Sequence, residues 1–228
     1  MHYRKGYYNH ILIILIIIAM AALSILFTVT AEGSTYKDIK GHWAEKYMAE
    51  LSYTKILNGF VDNTMKPNKV ITRSEFVTMV VRSIGLQKDS EKYSNYTDVP
   101  ITHWSYPYIN NAKVYGLLDS FPGNMLYPDK IITREEMAII ISKALPSNLR
   151  VDKPMSFSDI KADYINKKII DKVSSAGIRN GLPGGTFSPK GSASRAEAAA
   201  IIYRFIHLKS QGETGEQGDM QKINLTWQ

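Results

Sequence analysis

The sequence predicts an all-α fold built from three helix-loop-helix repeats, and three observations lead there. The chain repeats itself at a step of 61 residues: VITRSEFVTMVV at 70–81 returns as IITREEMAIIIS at 131–142 and as SASRAEAAAIIY at 192–203. A self-similar period of this length is the signature of a repeat architecture. Each copy begins with a hydroxyl residue, Thr72, Thr133 or Ser194, followed at the third position by Glu75, Glu136 or Glu197. That is a capping box, in which hydroxyl and carboxylate each satisfy one orphan amide at a helix start. After each box the apolar residues fall at helical spacing: Phe76, Met79, Val80 and Ile84; Met137, Ile140, Ile141 and Ala144; Ala198, Ile201, Ile202, Phe205 and Ile206. Helices this short are unstable alone, so the three apolar stripes are expected to pack against one another or against a neighbouring repeat.

Along the chain, residues 1–31 come first. Arg4 and Lys5 precede the apolar run from Ile11, and Val29-Thr30-Ala31 offers small residues for a signal peptidase. The segment is expected to direct export, either as a cleaved signal peptide or as an anchor, because residues 11–28 approach the roughly 20 a spanning helix needs. The repeats are expected at 32–93, 94–154 and 155–208, and the polar composition of 209–228 predicts a disordered tail.

Within each repeat a first helix precedes the capped one. Its apolar face reads as Trp43, Tyr47, Met48 and Leu51, then Trp104, Tyr108 and Ala112, then Tyr164, Ile169 and Val173. Gly116 and Gly177 stand where these helices would end in a left-handed residue, and Lys55 holds that place in the first copy at a conformational cost. The loops LNGFVDNTMKPNKV, LDSFPGNMLYPDKI and RNGLPGGTFSPKGS follow, rich in the Gly, Pro, Asn and Asp that tight turns need.

Arg73, Arg134 and Arg195 are each the first helical residue, where free amides and the helix dipole disfavour a cation. Two readings explain them. One is an ion pair with the Asp that opens the repeat or with the Glu two residues on. The other is a positive socket, in which guanidinium and exposed amides together hold an anionic ligand. Trp43 and Trp104 are likewise open to two readings: helix-start tryptophans are more often core, yet an indole face also suits a sugar ring. His42 and His103 lack a second ligand at metal spacing and read as turn or capping residues.

Other chemistry is excluded or unsupported. With no cysteine there is no disulfide, thiolate zinc site or Cys nucleophile. No catalytic triad, HExxH, phosphate loop or close carboxylate pair stands out, so no catalytic site, metal or cofactor is expected. The net charge of +7, reduced to +5 without Arg4 and Lys5, suggests an anionic partner, although charge alone fits a solvated, mildly basic surface better; export and scattered charges argue against nucleic acid.

The openings Tyr36-Lys-Asp38-Ile39, Tyr96-Thr-Asp98-Val99 and Phe157-Ser-Asp159-Ile160, the His-Trp pairs, the loops with their fixed Pro67, Pro128 and Pro189, and the Thr-Arg-x-Glu box together resemble the S-layer homology (SLH) repeat of bacterial envelope proteins. Three tandem copies are that family's usual set. The resemblance implies a pseudo-threefold body with a central three-helix bundle. It also implies inter-repeat grooves that hold a secondary cell-wall polysaccharide, often bearing a pyruvate ketal whose carboxylate meets the arginine. Carried over by position, the first site has Asp38, Trp43, Gly59 and Arg73. The second has Asp98, Trp104 and Arg134, with Ser120 for the usual glycine, expected to strain a positive-φ backbone. The third has Asp159, Tyr164, Gly181 and Arg195, with Asp163-Tyr164 for His-Trp. The first groove is expected to bind best. No domain-sized region follows Ile206 in this sequence, so the chain reads as a noncovalent wall-binding module at the cell wall or surface, not an enzyme. The alternative is an envelope protein held in the membrane by residues 11–28, using the same body for a protein partner.

Overall fold

The structure, a computed structural model, describes residues 36–86, 96–146, 149, 155–178 and 181–214; the expected export segment, residues 1–31, lies outside them. Among the described residues six α-helices form: α1 Glu45–Tyr53, α2 Arg73–Ser83, α3 Tyr106–Val114, α4 Arg134–Ala144, α5 Lys167–Ser175 and α6 Arg195–Thr214. They carry no sheet, only isolated bridges such as Val70 with Ser194 and Thr72 with Ile131. None of these helices is long and apolar enough to cross a membrane. The helix α6 continues to Thr214, past the point where a polar tail is expected.

Each second helix starts at its capping box. Thr72 Oγ1 accepts from the Glu75 amide at 3.2 Å, and the Glu75 carboxylate accepts from the Thr72 amide at 2.9 Å. Thr133 with Glu136 and Ser194 with Glu197 repeat the arrangement. The first helices have no side-chain cap of their own, and His42 and His103 instead accept from backbone amides two residues on, Ala44 at 3.1 Å and Ser105 at 3.3 Å. At the far ends Gly116 and Gly177 adopt φ of 71° and 68°, and Lys55 follows with φ 60°.

The helices interlock across repeats. Helix α2 touches both α4 and α6, and buries Phe76, Met79 and Val80 beside Met137, Ile140, Ile141, Ile201, Ile202 and Phe205 of its neighbours. First helices pack chiefly on the second helix of the preceding repeat: α3 on α2, α5 on α4, and α1 on α6. The last contact closes the ring, with the Tyr47 and Tyr203 rings 4.9 Å apart and His207 Nε2 2.9 Å from Glu50. Met48 and Leu51 are core as expected, but Trp43 and Trp104 are 58% and 54% exposed. Both lie two residues before the first helical turn, so the helical period that places Met48 inward does not extend to them.

One loop residue in each repeat is held from both sides. The amides of Met65, Leu126 and Phe187 donate to the opening carboxylates of Asp38, Asp98 and Asp159 at 2.7–3.0 Å. The next residues, Lys66, Tyr127 and Ser188, donate to the same carboxylates at 2.6–2.7 Å with φ of 47°, 56° and 56°. Left-handed geometry directly before a proline is disfavoured, and the paired bonds to aspartate hold it. Burial tends to raise the Asp159 pKa, but the Phe187 and Ser188 amides and the Arg134 charge outweigh it, and the carboxyl titrates below its ordinary value. Replacing Asp98 with Ala removes both acceptors and should destabilise the fold by about 3 kcal/mol, read as a lower urea midpoint.

Candidate functional site: grooves between repeats

Two cavities occupy related positions around the pseudo-threefold. The first, about 250 Å³, is lined by Gly59, Phe60, Glu75 and Arg82 of the first repeat, Trp104 of the second and Arg195 of the third. The second, about 210 Å³, is lined by Gly181, Glu197 and Arg204 of the third repeat, Trp43 of the first and Arg134 of the second. Each groove therefore takes its loop glycine and capping glutamate from one repeat, its arginine from the preceding repeat and its tryptophan from the following one. The grouping by single repeats expected from sequence is corrected accordingly: Trp43 and Gly59 belong to different grooves, and Arg73 lines neither of these two. At the middle position the same rule selects Ser120, Glu136, Arg73 and Ile165.

Tyr164 also changes place. In the 61-residue register Trp43 and Trp104 correspond to Ile165, which is 90% exposed, and Tyr164 corresponds to His42 and His103. The backbone agrees: the carbonyls of His42, His103 and Tyr164 accept from the first helical amides of Glu45, Tyr106 and Lys167, each at 2.9 Å. Asp38, Asp98 and Asp159 line neither groove and instead hold the loops that do.

The glycines serve a close approach rather than a special φ. Gly59 and Gly181 are not left-handed; a Cβ would meet the Tyr36 ring at 2.4 Å in one and the Phe157 ring at 2.6 Å in the other. Ser120 is also outside the left-handed region, so the strain expected there does not arise.

All three arginines are buried, at 8%, 3% and 4% exposure for Arg73, Arg134 and Arg195. Each donates to the carbonyl of the loop residue held by the opening aspartate in the next repeat: Arg73 to Leu126, Arg134 to Phe187 and Arg195 to Met65, at 2.6–2.8 Å. Two of them also pair with the capping glutamate of that repeat. Arg73 grips Glu136 through both Nε and Nη2, at 3.3 and 2.5 Å, and Arg134 pairs with Glu197. Ion pairs thus form at Arg73 and Arg134, but with the capping glutamate of the next repeat and not with the Asp or Glu of their own repeat that the sequence suggested.

The amide socket does not form. The amides of Arg73 and Ser74 donate to Lys130 and Pro128 carbonyls, those of Arg134 and Glu135 to Gly191 and Pro189, and those of Arg195 and Ala196 to Lys69 and Pro67, at 2.9–3.0 Å. The helix starts are stitched to neighbouring loops and leave none of these amides for an anion.

Arg195 breaks the pattern. Its Nη2 donates to the Asn58 carbonyl at 2.9 Å, and no carboxylate lies within ion-pair distance of it among the described residues. Its counterpart Glu75 is turned to Lys69 Nζ at 3.3 Å. The guanidinium rests 4.7 Å from the Phe60 ring centroid. Burial pulls the Arg195 pKa below its ordinary value, against the more distant charges of Glu75 and Asp38, yet an arginine stays charged.

A residue the sequence reading passed over is Glu135, 3% exposed, which accepts from Tyr164 Oη at 2.8 Å, Asn166 at 2.6 Å and Lys190 at 2.5 Å. Ser74 and Ala196 stand at its position in the other repeats, and that asymmetry was the available signal. Burial works to raise its pKa, but the bonds from Asn166, Lys190 and Tyr164 prevail and lower it. Burial first, and then Glu135, raises the Tyr164 phenol.

Fold and grooves together define a helical repeat module whose grooves lie at junctions of three repeats. The S-layer homology domain family model matches residues 35–77, 95–138 and 156–199, together more than half of the chain. The chain belongs to that family. It is 35% identical over 75% of its length to an amylopullulanase of Thermoanaerobacterium thermosulfurigenes, and 30% identical over 68% to a cellulosome-anchoring protein of Acetivibrio thermocellus. It is 28% identical over 81% to an S-layer protein of Bacillus licheniformis. The matches span 9%, 36% and 21% of those relatives, so the chain corresponds to a minor part of each.

Truncating Arg134 to Ala leaves Glu197 without its buried partner, and should lower stability by about 3–5 kcal/mol in denaturant titrations. The depressed Glu135 pKa contributes stability that is present above its unfolded value of about 4.3 and is lost as pH falls through the folded value. Glu135→Gln should therefore lower stability at neutral pH and flatten its decline below about pH 4.3, measured by urea unfolding across an acid pH series.

Proposed function

We propose that this chain is a noncovalent anchor at the bacterial cell surface, holding an anionic cell-wall polysaccharide in its inter-repeat grooves, and that it works as a binding module without catalysis. The observation that carries this reading is the groove of Gly59, Trp104 and Arg195. A buried guanidinium without a carboxylate partner attracts an anion, and two backbone carbonyls fix its direction. The half-exposed indole of Trp104 at the same groove offers the flat apolar face on which a sugar ring stacks. A carboxylate borne on a sugar, such as a pyruvate ketal, has both features in one ligand and can meet the planar guanidinium fork with two oxygens. The cellulosome-anchoring and S-layer relatives support the wall-anchoring part of the reading.

In the other two arginine positions a glutamate of the protein already occupies the fork. The expectation that the first repeat's own Arg73 is the principal ligand residue gives way here to Arg195, acting beside the first repeat's loop.

The test is cosedimentation of the purified protein with protein-stripped cell walls, with and without their secondary polysaccharide. Trp104 is exposed, so Trp104→Ala should weaken binding about tenfold, or about 1.4 kcal/mol, with an unchanged unfolding midpoint. Arg195→Ala should abolish binding, Arg73→Ala should reduce stability more than affinity, and added salt should weaken the wild type. Equal binding to walls lacking the polysaccharide would overturn the proposal.

A further inference from the structure

The first groove does not end at Arg195. Asn58 and Arg82 line it, and both also line an adjoining cavity of about 550 Å³ whose other walls include Thr54, Lys55 and Tyr108. Among the described residues two cations and no acid line this second space. Arg82 is held between them, donating to the Ile56 carbonyl at 3.4 Å and to Tyr108 Oη at 3.0 Å, with its guanidinium 4.8 Å from the Tyr108 ring centroid. Neither Lys55 nor Arg82 has a carboxylate within ion-pair distance among the described residues.

Lys55 adds an independent observation. It occupies the left-handed position that ends α1, with φ 60°, where the other two repeats place Gly116 and Gly177. A side chain there costs about 1–2 kcal/mol of backbone energy that glycine avoids. Helix termination alone does not call for a lysine. The other repeats have cations at the Arg82 position, Lys143 and Arg204, but glycine at the Lys55 position, so only the first repeat brings two cations together here.

We propose that the Lys55–Arg82 cavity is a second subsite of the first groove, binding an anionic group, carboxylate or phosphate, on a further unit of the same polymer. The groove then reads a stretch of polyanionic polysaccharide rather than one terminal sugar. This rests on the anchoring function proposed above. The charge of Lys55 has a use in this subsite, and its strained backbone is the concession made for it.

The experiment compares two probes on the whole protein by calorimetry: a single pyruvate-ketal hexosamine glycoside, and size-fractionated anionic polysaccharide released from cell walls. Lys55→Gly removes the charge and relaxes the backbone, so it should raise the thermal midpoint by about 2–4 °C, and misfolding cannot account for lost binding. Its affinity for the polysaccharide should fall at least fivefold while its affinity for the single glycoside stays at the wild-type value. Lys161→Ala, an exposed lysine outside the cavity, controls for net charge and should leave both affinities unchanged. The subsite is overturned if Lys55→Gly binds the polysaccharide like wild type or like Lys161→Ala, or loses both probes equally. If the wild type binds neither probe, or binds without needing Arg195, the anchoring reading fails and the subsite with it. A phosphate-bearing fraction that loses affinity in Lys55→Gly while a phosphate-free fraction does not would identify the second anion as phosphate; the reverse would identify carboxylate.

Discussion

One loop residue in each repeat, Met65, Leu126 or Phe187, is the constraint on which the body depends. Its amide is held by the aspartate that opens its own repeat, its carbonyl by the arginine of the preceding repeat, and its side chain is buried in the core. Local turn, inter-repeat contact and hydrophobic packing therefore meet at a single position, repeated three times around a closed ring. Buried polar groups of this kind must be satisfied together or not at all, which ties the repeats into one cooperative unit. It also explains why an arginine sits at a helix start that disfavours it: its partners belong to another repeat.

The parts of the fold that are local were legible in the sequence. Thr72 with Glu75 and its two counterparts fix where the second helices begin, and the stripes from Phe76, Met137 and Ala198 fix which faces are buried, because capping and periodicity act within a few residues. The partners of each groove were not legible. Equivalent repeats look alike, so a single sequence cannot say whether Arg73 meets the loop of its own repeat or of the next. Trp43 and Trp104 were drawn into the core by a helical period that stops just short of them. Tyr164 was matched by motif order, whereas the 61-residue step aligns it with the histidines. Gly59 showed that a special residue was needed but not whether φ or a crowding Tyr36 ring was the reason.

Once the grouping is known, near-symmetry becomes informative where it fails. Arg73 and Arg134 are neutralised by Glu136 and Glu197, while Glu75 turns toward Lys69 and leaves Arg195 uncompensated. Glu135 binds three donors at one junction where its counterparts are Ser74 and Ala196. The same backbone frame thus carries one electrostatically open junction and others closed by internal ion pairs. A duplicated fold can thus keep one backbone while its copies differ in charge pairing.

The packing of α1 on α6 brings the two ends of the repeat array into contact. Open solenoids lengthen by adding units, and their surface grows with them. A closed ring cannot do so, because a fourth unit would have to break the junction between first and third. Since both described grooves are composed from three repeats, no single repeat carries a complete one. The number of grooves is therefore a property of the whole ring, and raising it means copying the ring entire.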